Sequence, residues 1–307
     1  MNARCIFPLV AVLIYTGFGS STAAAWTVPV RLAEVNTNYH DKAPFLSYDG
    51  QTLYFSRQDG PGWHHTRIFQ ATRENILSPL AVKEISTLTQ PGAHIDYPWV
   101  SPDNLRMYYY SASPRKLHVT ERTSVNDPWI SGSPISELNS LGEVANPSLT
   151  PDELLILFTG LNIPGGLGGY DLWTASRANK DDQFIGINNL IEVNSSDDDY
   201  HPFITDNGLA LYFASTRYGR SQLFLATRAS TDESFGSPEH LSFLDSPGSS
   251  LYYPYLSSDG KMFLFARSDN GGQYDIYVSY IPEPATFLLL GLGTLVMRRT
   301  RKLRLSK

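Results

Sequence analysis

Five short segments concentrate the side chains that could do chemistry. They contain His40 and Asp41; His94, Asp96 and Tyr97; Asn146; Asp199, Tyr200 and His201; and Tyr252 and Tyr253. Each lies just before a proline: Pro44, Pro98, Pro147, Pro202 and Pro254. Carboxylates accept hydrogen bonds from sugar hydroxyls or ligate cations, and phenol rings stack on apolar sugar faces. If the segments meet, they form a ring suited to a glycan, a peptide or a cation. The plainer reading makes them wet loop residues at the mouth of a channel. Asp197-Asp198-Asp199 is the densest acidic run. Three carboxylates could contribute to a Ca²⁺ site, but the spacing is not that of an EF-hand, so an exposed turn is expected and no metal is assigned. Trp63-His64-His65 reads as a surface loop, because neighbouring side chains on an extended segment point to opposite sides. No G-x-S-x-G, H-E-x-x-H or phosphate-binding glycine loop occurs, and no catalytic residue is assigned.

The elements that must position these residues repeat. Each proline opens a seven-residue unit: Pro44–Gly50, Pro98–Asn104, Pro147–Glu153, Pro202–Gly208 and Pro254–Gly260. Asp or Asn stands five residues after every proline, and the prolines lie 54, 49, 55 and 52 residues apart. Asp-Gly and Asn-Gly favour tight two-residue hairpins, with Asp152-Glu153 the copy least suited to that turn. An apolar strand follows each turn, such as Leu53-Tyr54-Phe55, and then a third strand that ends in Arg73, Arg122, Arg177 or Arg228 in four units. Those arginines are expected to be structural, with Glu34, Glu137 and Glu192 as candidate partners. A fourth element recurs as Leu32–Asn36, Ile85–Thr89, Ile135–Asn139, Ile191–Asn194 and Leu241–Asp245, and reads as the fourth strand.

Four antiparallel strands in about 52 residues describe a propeller blade. The last unit lacks a fourth strand and the first segment has one to spare. The expected fold is therefore all-β, a five-bladed β-propeller of four-stranded blades, closed when the N-terminal strand joins the last blade. Pro-x-apolar-Ser-x-Asp-Gly, the apolar-Tyr-Phe strand, and Asp171-Leu172-Trp173 and Asp275-Ile276-Tyr277 resemble the WD40-like repeat of TolB-type propellers. That resemblance implies the fold and leaves the function open.

The two ends have another character. Residues 1–25 read as a signal peptide: Arg4, an apolar stretch from Ile6 to about Phe18, then Ala23-Ala24-Ala25 before Trp26. The only cysteine is Cys5, so a processed chain would hold no thiol and no disulfide. Pro282-Glu283-Pro284 precedes an apolar run from Phe287 to Met297 and a basic cluster from Arg298 to Arg304. This tail, 282–307, resembles the PEP-CTERM sorting domain of Gram-negative bacteria, which implies recognition by exosortase, a short transmembrane segment, and an envelope or surface address. Of 24 basic residues, Arg4 and six after Met297 fall in the ends, as does Glu283 of the 30 acids, leaving 17 against 29, a net of −12. Such a body disfavours nucleic acid and anionic lipid as partners.

The chain thus divides into signal peptide 1–25, propeller 26–281 and tail 282–307. It reads as an exported, envelope-associated, non-enzymatic binding module that needs no cofactor. Its expected partners are signal peptidase, exosortase and an extracellular glycan or protein. The competing reading is a glycan-active enzyme that uses Asp41, Asp96 or Asp199, since paired carboxylates can hydrolyse glycosidic bonds.

Overall fold

The structure, a computed structural model, describes residues 26–60, 65–73, 80–88, 94–112 and 115–281. Residues 1–25, read above as a signal peptide, the tail with Pro282, Glu283 and Pro284, and Trp63 and His64 lie outside the described residues; His65 is exposed. Twenty strands form five four-stranded antiparallel sheets. A two-residue strand, β1 (Val30–Arg31), comes first. Blade 1 holds β2 (His40–Leu46), β3 (Thr52–Gln58), β4 (Thr66–Thr72) and β5 (Ala81–Glu84). Blade 2 holds β6 (Ile95–Val100), β7 (Arg106–Ala112), β8 (Arg115–Glu121) and β9 (Ser133–Pro134). Blade 3 holds β10 (Glu143–Leu149), β11 (Leu155–Leu161), β12 (Tyr170–Ser176) and β13 (Ile185–Asn189). Blade 4 holds β14 (Asp199–Ile204), β15 (Ala210–Ser215), β16 (Gln222–Thr227) and β17 (Glu239–His240). Blade 5 holds β18 (Ser249–Leu256), β19 (Met262–Asp269) and β20 (Tyr274–Tyr280), with β1 as its outer strand. The proline-bearing strands are the inner ones and contact one another around the axis. No helix of the described residues is long and apolar enough to cross a membrane.

The ring closes through the N-terminal segment, though not through the residues expected. Val30 pairs with Val278 and Arg31 with Tyr277. The Thr27 amide donates to the Tyr280 carbonyl at 2.8 Å, and the Arg31 guanidinium grips Asp275 at 2.8 and 2.9 Å. Leu32–Asn36 is a turn just beyond this strand, and the other four copies behave alike. Short outer strands precede them, and the segments themselves form helical turns, seen at Ser86–Leu88, Ser136–Asn139 (α1), 191–193 and Ser242–Leu244. The physical reason is apolar spacing. Leu32 and Val35, Ile85 and Leu88, Ile135 and Leu138, Leu190 and Val193, and Leu241 and Leu244 stand three apart, which is a helical interval and not the period of a strand. In three copies an asparagine then completes the sheet with its side chain. The amides of Asn36, Asn139 and Asn194 bond both the N–H and the C=O of Ile276, Leu117 and Leu172, at 2.7–2.9 Å.

The hairpin turns also differ from the two-residue form. Only the second residue of each pair is left-handed: Gly50, Asn104, Glu153, Gly208 and Gly260 have φ of 69°, 59°, 61°, 70° and 70°. The preceding Asp or Asn accepts from the Ser or Thr hydroxyl two residues back and from the amide two residues on. For Asp49 these bonds, from Ser47 and Gln51, are 2.6 and 3.0 Å. The Ser47 amide in turn reaches the Thr52 carbonyl, so the loop spans four residues. That geometry suits a type I turn followed by a left-handed residue. Glu153 adopts the same turn as the glycines because its carboxylate is held by Arg106 at 3.1 Å and by the Tyr108 hydroxyl at 2.8 Å.

The strand-end arginines cap those turns. Nε of Arg122, Arg177 and Arg228 donates to the carbonyl of Asn104, Glu153 and Gly208 at 2.8–2.9 Å. Each guanidinium lies 4.1–4.5 Å from the ring of Trp129, Phe184 or Phe235, seven residues later. Of the suggested carboxylate partners, only Glu34 pairs with one of these arginines, Arg73, at 2.6 Å. Glu137 instead accepts from the Phe184 amide, and Glu192 is exposed.

Candidate functional site at the axial mouth

The residue before each of the five repeated prolines carries the site. Pro has no amide to offer the ladder, and it bars its predecessor from the right-handed helical region. In all five inner strands the register slips here, between Lys42 and Phe45, Asp96 and Trp99, Ala145 and Ser148, Tyr200 and Phe203, and Tyr252 and Tyr255. Ala43, Tyr97, Asn146, His201 and Tyr253 take φ of 51–58° at these bulges. A left-handed conformation costs a non-glycine residue about 1–3 kcal/mol. It turns these five side chains onto the axis, where they line one small cavity of about 50 Å³ together with Pro44, Pro98, Pro147 and Pro202. The His201 ring lies 3.8 Å from that of Tyr253, and Tyr97 stacks on Tyr253 at 5.6 Å. Burial raises the phenols of Tyr97 and Tyr253 well above their ordinary range, so both remain protonated donors. Phe45, Phe203 and Tyr255 also line the cavity, and the Tyr255 ring lies 5.1 Å from that of Phe45 and 4.9 Å from that of Phe203.

One position earlier in the strands stand Lys42, Asp96, Tyr200 and Tyr252. Lys42 Nζ and Asp96 Oδ2 are 2.5 Å apart and both side chains are fully buried. His94 Nε2 lies 3.0 Å from the same oxygen, and the Tyr97 amide donates to Oδ1 at 2.9 Å. Burial alone would raise the Asp96 carboxyl; the Lys42 ammonium and His94 outweigh it and hold the group far below the usual carboxylate range. The ammonium also sits 5.2 and 5.7 Å from the rings of Tyr97 and Tyr253. Burial, and then the nearby Lys42 charge, push the His201 imidazole well below its ordinary value, so it is neutral. Its Nδ1 is buried without a hydrogen-bond partner among the described residues.

Tyrosines build the rim. Tyr200 and Tyr252 are nearly parallel, 12° apart with centroids at 6.1 Å. Tyr252 meets Tyr274 edge-on at 5.1 Å, Tyr274 meets His40 at 5.2 Å, and Tyr170 meets Tyr200 at 6.1 Å. On the other side Tyr110 touches both Tyr97 and His94, at 5.8 and 5.6 Å.

Of the residues singled out in the sequence, His40, Asp96, Tyr97, Asn146, Tyr200, His201 and Tyr253 thus meet in one axial mouth. Asp41 and Asp199 do not. Asp41 accepts from the Thr37 amide and hydroxyl at 2.7 and 2.9 Å and from Arg57 at 2.6 Å. Asp199 repeats this with Ser195, at 2.6 and 2.8 Å, and Arg217, at 2.6 Å. Both carboxylates are fully buried, so each pins the loop that enters its blade. Asp198 accepts from the Tyr170 amide at 3.1 Å, and Asp197 is exposed. Among the described residues no group of three His, Asp or Glu is placed to hold a metal ion. Sequence reasoning missed Lys42, Tyr110, Tyr170 and Tyr274. Lys42 had a signal, since it shares the register of Asp96, Tyr200 and Tyr252. The three tyrosines lie on strands that return to this face from other parts of each blade.

Residues 281–302 match the PEP-CTERM protein-sorting motif. The motif marks the chain for export and for membrane-associated sorting to the cell envelope, with processing by exosortase. No curated protein matches the chain. Among solved structures, the fold is similar to a protein described as TolB from Agrobacterium tumefaciens, with 14% identity, 83% of this chain and 97% of that one covered, and a TM-score of 0.52. It is also similar to an α-L-arabinofuranosidase from Podospora anserina solved with cellotriose, with 12% identity, 82% and 93% covered, and a TM-score of 0.53. The catalytic domain of a GH62 α-L-arabinofuranosidase from Coprinopsis cinerea gives 11% identity, 78% and 90% covered, and a TM-score of 0.53. At these identities the likeness is one of fold. The chain is a five-bladed β-propeller with TolB among its structural neighbours and a PEP-CTERM sorting motif at its end.

Proposed function

We propose that this propeller is a non-enzymatic binding module of the cell envelope whose axial mouth takes a glycan. On this reading signal peptidase removes residues 1–25, and the tail holds the chain in the inner membrane until exosortase acts on it. The observation that carries the ligand class is the rim of Tyr170, Tyr200, Tyr252 and Tyr274 above a base without excess charge. Phenol rings stack on the apolar faces of sugars, and their hydroxyls bond sugar hydroxyls at little entropic cost. A cation would need a carboxylate ready to ligate it, yet Asp41, Asp96 and Asp199 are each paired with a lysine or arginine. The same pairing weighs against hydrolysis. A glycosidase needs one carboxyl as acid and a second as nucleophile or base. Two of the three candidates are locked to arginines, and the third is held ionised by Lys42 and His94.

A glycan array probed with residues 26–281 tests the proposal. Binding to a subset of glycans is expected, and it should fall at least tenfold in Tyr252→Ala, which removes the central ring of the rim and about 1.4 kcal/mol or more of contact. Silence across the array would overturn the ligand class. Release of reducing sugar from any bound glycan would overturn the non-enzymatic assignment.

A further inference from the structure

The two faces of the propeller are unequal, and the chain leaves by only one of them. The tyrosine mouth opens where the inner strands begin. Strand β20 starts at that face with Tyr274, beside His40, and runs down to Tyr280 at the opposite face. There the Ile281 amide donates to the Lys261 carbonyl at 2.9 Å, within the turn that joins β18 to β19. The N-terminal segment reaches the same face, since Thr27 exchanges hydrogen bonds with Tyr280 through its amide and its hydroxyl. Both chain ends therefore leave by the turn face, opposite the mouth.

The sorting motif begins at residue 281, still hydrogen-bonded to the fold. Five residues, Pro282 to Thr286, separate it from the apolar run at Phe287. Even fully extended, that stretch spans about 20 Å. The depth of the body along the seven residues of β20 is itself about 23 Å. To lay its mouth on the bilayer, the tether would have to cross that whole depth and round the outer strand β1 as well. It is too short to do so.

We infer that, while the tail is in the bilayer, the protein has a fixed polarity of display. The turn face of blade 5 is held against the lipid surface, and the tyrosine mouth points away from it. The tether sets this polarity without adhesion: the membrane-side turns carry both signs of charge, Asp49, Asp103, Asp152 and Asp259 beside the capping Arg122, Arg177 and Arg228. The mouth is thereby open to a partner outside the membrane throughout sorting.

The sole cysteine, Cys5, lies in the leader, so single cysteines can report accessibility on a clean background. The chain from Trp26 to Lys307 would be reconstituted into phosphatidylethanolamine–phosphatidylglycerol vesicles as two variants. Ser196→Cys sits in the exposed loop leading to β14 at the mouth, and Ser258→Cys in the exposed blade 5 turn beside Ile281. A bulky, membrane-impermeant maleimide should modify Ser196→Cys as fast as in detergent and Ser258→Cys several-fold more slowly. A Gly/Ser spacer of about 20 residues after Ile281, with a mean reach of about 25 Å, should restore the slow site. Equal rates, slower reaction at the mouth, or failure of the chain to float with the vesicles would overturn the polarity. None of these readouts depends on glycan binding, so they fail or succeed separately from the proposed ligand.

Discussion

Replacing Lys42 with methionine is the most informative single change. It keeps the stem and removes the charge, leaving Asp96 fully buried with His94 and the Tyr97 amide as its remaining partners. Deleting one member of a buried ion pair costs about 3–5 kcal/mol, because the other charge stays behind without compensation. For a body of this size that is a fall in Tm of roughly 6–20 °C at neutral pH. The pH dependence identifies the cause. In the native protein the Asp96 carboxyl is depressed, so its contribution is present above the unfolded value near 4 and is lost only in strong acid. In Lys42→Met burial dominates and raises the carboxyl instead. The folded variant then prefers the protonated acid, and its stability falls as pH rises through that raised value. The gap to the native protein should be small near pH 4 and wide at pH 7 and above. Adding Asp96→Leu should recover more than half of the loss, since the buried charge is gone. Denaturant melts of residues 26–281 at both pH values decide the matter. A variant within about 1 kcal/mol of the native protein at pH 7, or one whose deficit is pH-independent, would refute the buried-pair account.

Three further outcomes follow from other parts of the ring. Glu153 is left-handed at φ 61° and bonded to Arg106 and Tyr108. Glu153→Ala and Glu153→Gly lose the same contacts, yet the glycine variant should be more stable by about 1 kcal/mol in urea melts, because only alanine retains the left-handed penalty. His201 is buried and neutral, so the unfolded chain takes up a proton that the native one refuses; stability should fall below about pH 6.5 by up to about 1.4 kcal/mol per pH unit. His201→Gln should flatten that decline, and an unchanged slope would assign it to another group. Arg31 and Asp275 are partly exposed, so Arg31→Ala should cost about 1 kcal/mol or less, whereas deletion of residues 26–36 removes β1 and the Val35 and Asn36 contacts, unpairs the outer edge of β20, and should abolish cooperative unfolding.

The repeat was legible because its signals are local. Five proline-turn units with an Asp or Asn at a constant offset define five hairpins, and the mismatch of strands at the two ends demanded closure by the first segment. The exception at that closure is also local: Leu32 and Val35, and their four counterparts, look like strand residues although their three-residue spacing is helical. A hydrophobic pair marks a buried element without naming its period, and the sheet's outer strands are only two to five residues long, too brief for alternation to show. The arginine caps had a sequence signal as well, an aromatic residue seven positions on, that strand patterning does not consider.

The mouth divides along the same line. Its five entry segments were readable, because a residue before proline in a repeated inner strand must sit at the axis. Which side chains turn inward was decided by tertiary structure. The bulge at each proline shifts the alternation by one residue, so Asp41 and Asp199 swing into arginine-bound turns while Lys42 and Asp96 swing together across two blades. Tyr110, Tyr170 and Tyr274 join from the far ends of second and third strands, at distances along the chain that no local pattern spans. The number of blades, the closure and the sorting signal are properties of repetition and of chain ends, which a sequence carries directly. The charge at the axis, the aromatic rim and the face by which the chain departs arise only when five separate strands converge, because burial and pairing depend on neighbours that the sequence places about 50 residues apart.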